Sequence, residues 1–255
     1  MSFFQFSLGS GQHYGFLNQP VAGLANYSIL VMSVAPIISG HTGKHMEEIV
    51  ETWMRRAKDV FQQKANETFR VKLGFKKDND AVDHLWKEVE PLLRGSRVDW
   101  TLFWRQLTYV AQEFPDANSK DYEVMMNVLE ACEGTGKDRV LSDWSPFYEK
   151  MSDELRRMWI TWIKMWRDAV KAHAESTGGN PYYDRMRIEN PKFVLREWML
   201  VDAYKAAAKG NYSLIEELHK LIQKPYDEGS AEQSAKFYKR ATEKAATSGG
   251  CGFMS

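Results

Sequence analysis

Cysteine is nearly missing from this chain of 255 residues, which holds only Cys132 and Cys251. Two thiols allow at most one bridge, so no disulfide framework supports the fold, and the scarcity fits a reducing compartment. Net charge is missing as well, since 34 Lys and Arg face 34 Asp and Glu. A chain without an overall positive field does not gather phosphate backbones or anionic lipid, so nucleic acid is not an expected partner. Long hydrophobic runs are also lacking. The longest, Ile29 to Ile38, is ten residues, against the roughly 20 of a spanning helix, and no membrane partnership is expected. Residues 1–8 carry no Lys or Arg, so the positive flank of a secretory signal and the Arg-rich pattern of a transit peptide are both wanting. The chain reads as opening on an internal segment after an initiator Met.

Strand signals are the next absence: there is no long apolar/polar alternation and no Asn-Gly or Asp-Gly turn between β-branched runs. Helical spacing recurs instead, and the expected fold class is all-α, a single array of about eight to nine helices. Residues 23–38 suit a buried helix ending near Pro36. Residues 45–72 place Ile49, Trp53, Ala57, Val60, Phe61 and Phe69 near one stripe, with a break expected near Asn66. Asp80 to Leu93 carries Val82, Leu85, Trp86, Val89 and Leu92, and Pro91 should kink or end that helix. Asp99 is an N-cap ahead of Leu102, Phe103, Leu107 and Val110. Residues 121–132 continue helically until Gly134 and Gly136 open a loop, and residues 134–150 are the best seam or insertion. From Ser152 to Glu175, Leu155, Trp159, Trp162, Ile163 and Trp166 crowd one side. Asn190 reads as a cap with Pro191 at the first helical position, opening a helix to about Lys209 before Gly210. Ser213 and Glu216 fit a capping box for a helix that stops before Pro225. Residues 1–13 read as a short irregular segment and 14–228 as the helical domain. The remainder, 229–255, is weakly helical and then a flexible tail.

The chemistry-bearing patterns are weak. Glu133-Gly134-Thr135-Gly136-Lys137-Asp138 resembles a phosphate loop, but Ala131 stands where the pattern needs glycine and Asp138 where it needs Ser or Thr, so a surface turn is the reading. His41 and His45 are four apart, yet Gly40 and Gly43 place them in a loop rather than on one helix face. Nine Trp and thirteen Phe fall at helical spacings with few lysines beside them, which is core packing rather than base stacking. The Met-rich stretch from Met151 to Met165, with Trp159, Trp162 and the adjoining Trp166, is either core or a partner-binding surface. Glu47, Glu48, Glu51, Glu216 and Glu217 lie among basic residues on solvated faces. No serine elbow, zinc signature or patterned Cys/His pair occurs.

Four ordered stretches carry a resemblance. They are Gly15-Phe16-Leu17-Asn18-Gln19-Pro20 with Gly23-Leu24-Ala25-Asn26-Tyr27; Phe69-Arg70-Val71-Lys72-Leu73-Gly74; Arg97-Val98-Asp99-Trp100-Thr101-Leu102-Phe103-Trp104-Arg105-Gln106-Leu107; and Arg185-Met186-Arg187 with Asn190-Pro191-Lys192-Phe193-Val194-Leu195-Arg196, followed by Gly210-Asn211-Tyr212-Ser213 and Pro225-Tyr226. Over residues 14–228 the chain resembles the selenoprotein O family, with Ala25 where the family usually has tryptophan. The resemblance implies a kinase-like protein that transfers AMP from ATP to Ser, Thr or Tyr hydroxyls of other proteins with a divalent metal, Mg²⁺ or Mn²⁺. It also implies a mitochondrial or cytoplasmic setting.

In that family the phosphate- and metal-holding groups precede the asparagine-glutamine-proline segment, so no catalytic, cofactor-binding or metal residue carries over to this chain. No cofactor is expected for it alone. Structural roles are expected instead for Asn18, Gln19, Pro20, Arg97, Asp99, Asn190, Pro191, Lys192 and Arg196. Asp99 and Asn190 would be caps and Pro191 a helix starter, with Arg97 and Arg196 in buried ion pairs with a kinase-like lobe. Cys251 stands near the family's terminal redox position, but Gly252-Phe253-Met254-Ser255 does not match it. The expected function is the C-terminal portion of a protein adenylyltransferase, inactive alone, its partner a kinase-like lobe or a protein substrate. A fragment of this kind should expose an apolar face around Asn18 to Ile38. The alternative is a noncatalytic helical binding module, which should have replaced that face with polar groups.

Overall fold

A computed structural model describes residues 19–76, 80–114, 121–133, 139–174 and 181–241. Those residues contain ten helices and one two-stranded ribbon, a mainly all-α array as the periodicity predicts. They fall into two compact units, one ending at Asn66 and the other running from Glu67 to Ala241.

In the first unit, α1 (Gln19–Thr42) carries no Asp, Glu, Lys or Arg. Its only buried apolar residues are Leu24, Val31 and Ala35, a single stripe. Gly23 lets it approach α2 (Met46–Lys72), since a Cβ there would sit 3.2 Å from the Phe61 ring. The expected buried helix ending at Pro36 is therefore corrected twice: the helix runs through Pro36 to Thr42, and Ile29, Leu30, Met32 and Ile37 stay exposed. By length and composition alone, Pro20–Thr42 is long and apolar enough to cross a membrane. Counting only an unbroken apolar run missed this, because uncharged Gly, Ser, Tyr and Thr extend the stretch. The stripe expected on α2 buries Ile49, while Trp53, Val60 and Phe61 remain exposed. No break forms at Asn66, whose Oδ1 accepts from Gln62 Nε2 at 2.8 Å inside the continuous helix.

The second unit is built around α4 (Trp100–Gln112), whose residues 102–108, 110 and 111 are all buried. It packs against α5 (Tyr122–Glu130) and α7 (Pro181–Glu189). The expected Asp99 cap is present, with Oδ1 accepting from Leu102 N at 3.1 Å. Helix α3 (Asp80–Ser96) buries Val82, Leu85, Val89, Leu92 and Leu93 and continues past Pro91, which is exposed, as is Lys87, the residue whose carbonyl the missing N–H leaves unpaired in the helix. After α5, Ala131 adopts a left-handed conformation, and β1 (Cys132–Glu133) pairs antiparallel with β2 (Val140–Leu141). The glycine loop between them lies outside the described residues.

Helix α6 (Asp153–Ala174) settles its tryptophan-rich face as core. Trp159, Trp162 and Trp166 are buried, and each indole N–H donates, to Ser96 Oγ at 2.8 Å, Leu85 O at 2.9 Å and Leu73 O at 3.0 Å respectively. Three large side chains thus tie α6 to α3 and to the end of α2, with their polar atoms satisfied. Beyond α7 come α8 (Glu197–Ala207), α9 (Ser213–Ile222) and α10 (Ala231–Phe237), which close a second apolar cluster of Phe193, Met199, Leu218, Leu221, Phe237 and Tyr238. Two start signals fail here. Ser213 does not cap α9, because its N–H and hydroxyl both donate to Asn211 Oδ1. Pro191 does not start a helix, since residues 191–196 are non-helical and α8 opens at Glu197.

Candidate functional site

The family-like segments converge on a buried polar clasp in the second unit. Residues 190–196 are held against the turn after α9, with Lys192 N and Phe193 N both donating to Pro225 O at 2.8 and 3.1 Å. Asn190, fully buried, ends α7 rather than capping a following helix. Its Nδ2 donates to Lys72 O and to Thr108 Oγ1, each at 3.1 Å, and its Oδ1 accepts from Lys72 Nζ at 3.1 Å. One amide therefore joins the end of α2, the middle of α4 and the end of α7.

Arg105 is the only charged residue in α4. It donates from Nη1 to Arg187 O and Asn190 O at 3.2 and 3.0 Å, from Nε to Tyr109 Oη at 3.1 Å, and from Nη2 to the Glu228 carboxylate. Glu228 also accepts from Tyr109 Oη at 2.7 Å and from Lys192 Nζ at 3.0 Å. Burial alone would raise the Glu228 carboxyl; the Tyr109 hydrogen bond and the Arg105 and Lys192 charges outweigh it and hold the group below its ordinary value. Burial pushes the Tyr109 phenol up, and complete burial does the same to Tyr238, which accepts from Gln106 Nε2 at 3.3 Å. Lys72 moves the other way. Burial lowers its ammonium to about 8 against the opposing pull of Glu189, and the group lies 5.4 Å from the Trp104 ring centre.

A second fork holds Arg196 at the start of α8. Its Nη2 donates to Asp99 Oδ1 at 2.8 Å and its Nη1 to Oδ2. The same carboxylate that caps α4 thus clamps Arg196, so the expected pairing of Arg196 with another lobe is corrected: its partner lies in this chain. Arg97 is also displaced from expectation. It sits at φ 47 with its side chain exposed, paired at 2.8 Å to an equally exposed Glu149, an arrangement worth little. Pro191 is half-buried and Pro20 is exposed in the first turn of α1. Gln19 begins that helix; its side chain and Asn18 lie outside the described residues, as does Cys251.

The clasp's charges are answered by one another, which suits it to holding helices together. His41 lies in the last turn of α1, so the loop expected there is corrected for it, while His45 precedes α2, with Gly43 at φ 70 between them. Among the described residues no three His, Cys, Asp or Glu side chains gather as a metal site. The sequence reading picked out Asp99, Asn190, Lys192 and Arg196 but missed Lys72, Arg105, Tyr109 and Glu228 as their partners. Arg105 alone carried a signal, being a lone charge in an otherwise uncharged helix of buried spacing.

A family model described as protein adenylyltransferase SelO matches residues 3–223. The chain is 31% identical over 250 residues to a protein nucleotidyltransferase YdiU of Flavobacterium johnsoniae, covering 96% of this chain and 41% of that protein. It is 26% identical over 246 residues to the YdiU of Aromatoleum aromaticum, with 96% and 41% covered. With the YdiU of Rhodopirellula baltica the identity is 23% over 251 residues, with 96% and 42% covered. The chain spans about two-fifths of the length of these curated relatives.

Proposed function

This chain belongs to the protein adenylyltransferase SelO family, and from that premise we propose that it is the helical portion of an enzyme that moves AMP from ATP onto protein hydroxyls. In this reading it serves as scaffold, and a kinase-like lobe supplies the groups that hold ATP and metal. The observation that carries the reading is the clasp. The residues through which the chain resembles the family, Asp99, Arg105, Asn190, Lys192 and Arg196, are engaged with one another and with Glu228 in holding α2, α4, α7 and α8. Phosphoryl-type transfer needs side chains directed at phosphates and metal; these are directed at backbone carbonyls and carboxylates of their own chain.

The uncharged face of α1 supports the same reading. Ile29 and Ile37 are each 64% exposed, and Leu30 and Met32 are more than half exposed. Burying an aliphatic side chain of this size is worth about 1.5–3 kcal/mol, so covering four half-exposed ones contributes on the order of 3–6 kcal/mol. The occupant proposed for this face is the kinase-like lobe.

The test is transfer of labelled AMP from ATP to protein by the purified chain with Mg²⁺ or Mn²⁺. No labelled protein is expected, of the chain itself or of added acceptors. Label above the level of a heat-denatured control sinks the scaffold reading and requires catalytic groups within these 255 residues.

A further inference from the structure

Two arginines outside the clasp meet at the turn that follows α2. Arg70 donates from Nη1 to Phe75 O at 3.0 Å and to Lys76 O. Arg185, on α7, donates from Nε to Gly74 O at 2.9 Å. Both are half-buried. Three consecutive carbonyls are thus gripped by two guanidinium groups, and neither guanidinium forms an ion pair with a carboxylate among the described residues. Asp184 offsets part of the Arg185 charge without an ion-pair contact. Burial first, and then the Arg70 charge, lower the proton affinity of Arg185, so the two cations are close enough to repel.

These bonds leave the Nε–Nη2 edge of Arg70 and both Nη groups of Arg185 without a partner among the described residues. Each is a planar fork of the kind that grips a tetrahedral oxyanion by two parallel bonds. The turn beneath them is rigid. Gly74 has φ 86, a Cβ on it would lie 2.9 Å from Tyr182 Cβ, and the Leu73 carbonyl is held by Trp166. The donors are therefore preorganised, and an anion between them would convert a repulsion into two attractions in a partly desolvated setting.

We propose that Arg70 and Arg185 form a binding site for a phosphate dianion on the turn after α2. The ligand is inorganic phosphate or a phosphate carried on a protein side chain. Calorimetric titration of the full chain with inorganic phosphate, at ionic strength held constant with NaCl, tests it. Saturable binding is expected, with affinity falling at least tenfold in R185Q and unchanged in R56Q, a substitution elsewhere on α2. Because Arg185 also ties down the turn through Gly74 O, R185K supplies the second reading: it keeps the charge, loses the fork and should bind with intermediate affinity. Absence of saturable phosphate binding by the unaltered chain, or equal affinity in R185Q, overturns the site. Titration with a phosphoserine peptide and its unphosphorylated form decides the source, tighter binding of the phosphopeptide than of free phosphate assigning it to a protein side chain. The titration involves no ATP and no transfer, so its failure and failure of the scaffold reading are separate results.

Discussion

Replacing Asn190 by alanine removes the single amide that joins three helices, and its cost follows from what it strands. Three hydrogen bonds disappear, those of Nδ2 to Lys72 O and Thr108 Oγ1 and that of Lys72 Nζ to Oδ1, each 3.1 Å long. The site is fully buried, so water cannot take the vacated places. Leaving a buried partner unsatisfied costs about 1–3 kcal/mol, and Thr108 Oγ1 keeps its own bond to Trp104 O at 2.8 Å. The Lys72 carbonyl is left short and the half-buried ammonium keeps only its 3.5 Å contact to Glu189 O, which puts the loss on the order of 2–4 kcal/mol. Against a urea slope of roughly 2–3 kcal/mol/M for a chain of this size, the unfolding midpoint should fall by about 1–2 M with the slope unchanged. Arg97→Ala is the internal control. Its ion pair with Glu149 is exposed at both ends, and the loss should stay under about 1 kcal/mol. If Asn190→Ala shifts the midpoint no further than Arg97→Ala, the clasp is not what holds these helices and the reasoning fails.

Alkaline pH should act through Lys72. Its folded value, about 8, lies below the ordinary lysine value of 10.5, so the unfolded chain binds more protons between the two and stability rises with pH across that window, by at most about 3 kcal/mol. The difference in slope between the unaltered chain and K72M from pH 8 to 9.5 isolates the effect, since the raised Cys132 thiol and tyrosines oppose it equally in both; parallel slopes would refute it. On α1, paired Ile29→Glu and Ile37→Glu substitutions should change folding stability by less than about 0.5 kcal/mol, because both sites are exposed. A double variant that is unfolded by circular dichroism would show that the face is buried within the chain and would refute its exposure.

Features that rest on neighbours in sequence were legible. Asp99 caps α4 because its carboxylate reaches an N–H three residues on, and the spacing of Trp159, Trp162 and Trp166 specified one face whatever lay opposite it. Local signals failed where a closer competitor intervened, as when Asn211 took both donors of Ser213. The true capping box, Ser230 with Gln233, sits in a polar tail where no apolar run drew attention to it.

The candidate site shows the division most plainly. Periodicity by itself determined an all-α chain and its helix count, to within one or two of the ten among the described residues, while four ordered motif stretches carried the resemblance to the family. They also singled out Asp99, Asn190, Lys192 and Arg196 as important. What those residues do was decided only by tertiary structure. Asn190 looked like a cap because its side chain can satisfy a nearby backbone N–H; in the fold it meets Lys72, 118 residues away, and Thr108, 82 residues away. Glu228 acquired its role in the same way, from Arg105 across 123 residues. Likewise α1 was recognisable as an uncharged helix, but which of its residues are buried depends on what packs beside it. Hydrogen-bond reach along a helix is three or four residues and can be read in one dimension; burial and ion pairing depend on which distant segments the chain brings together.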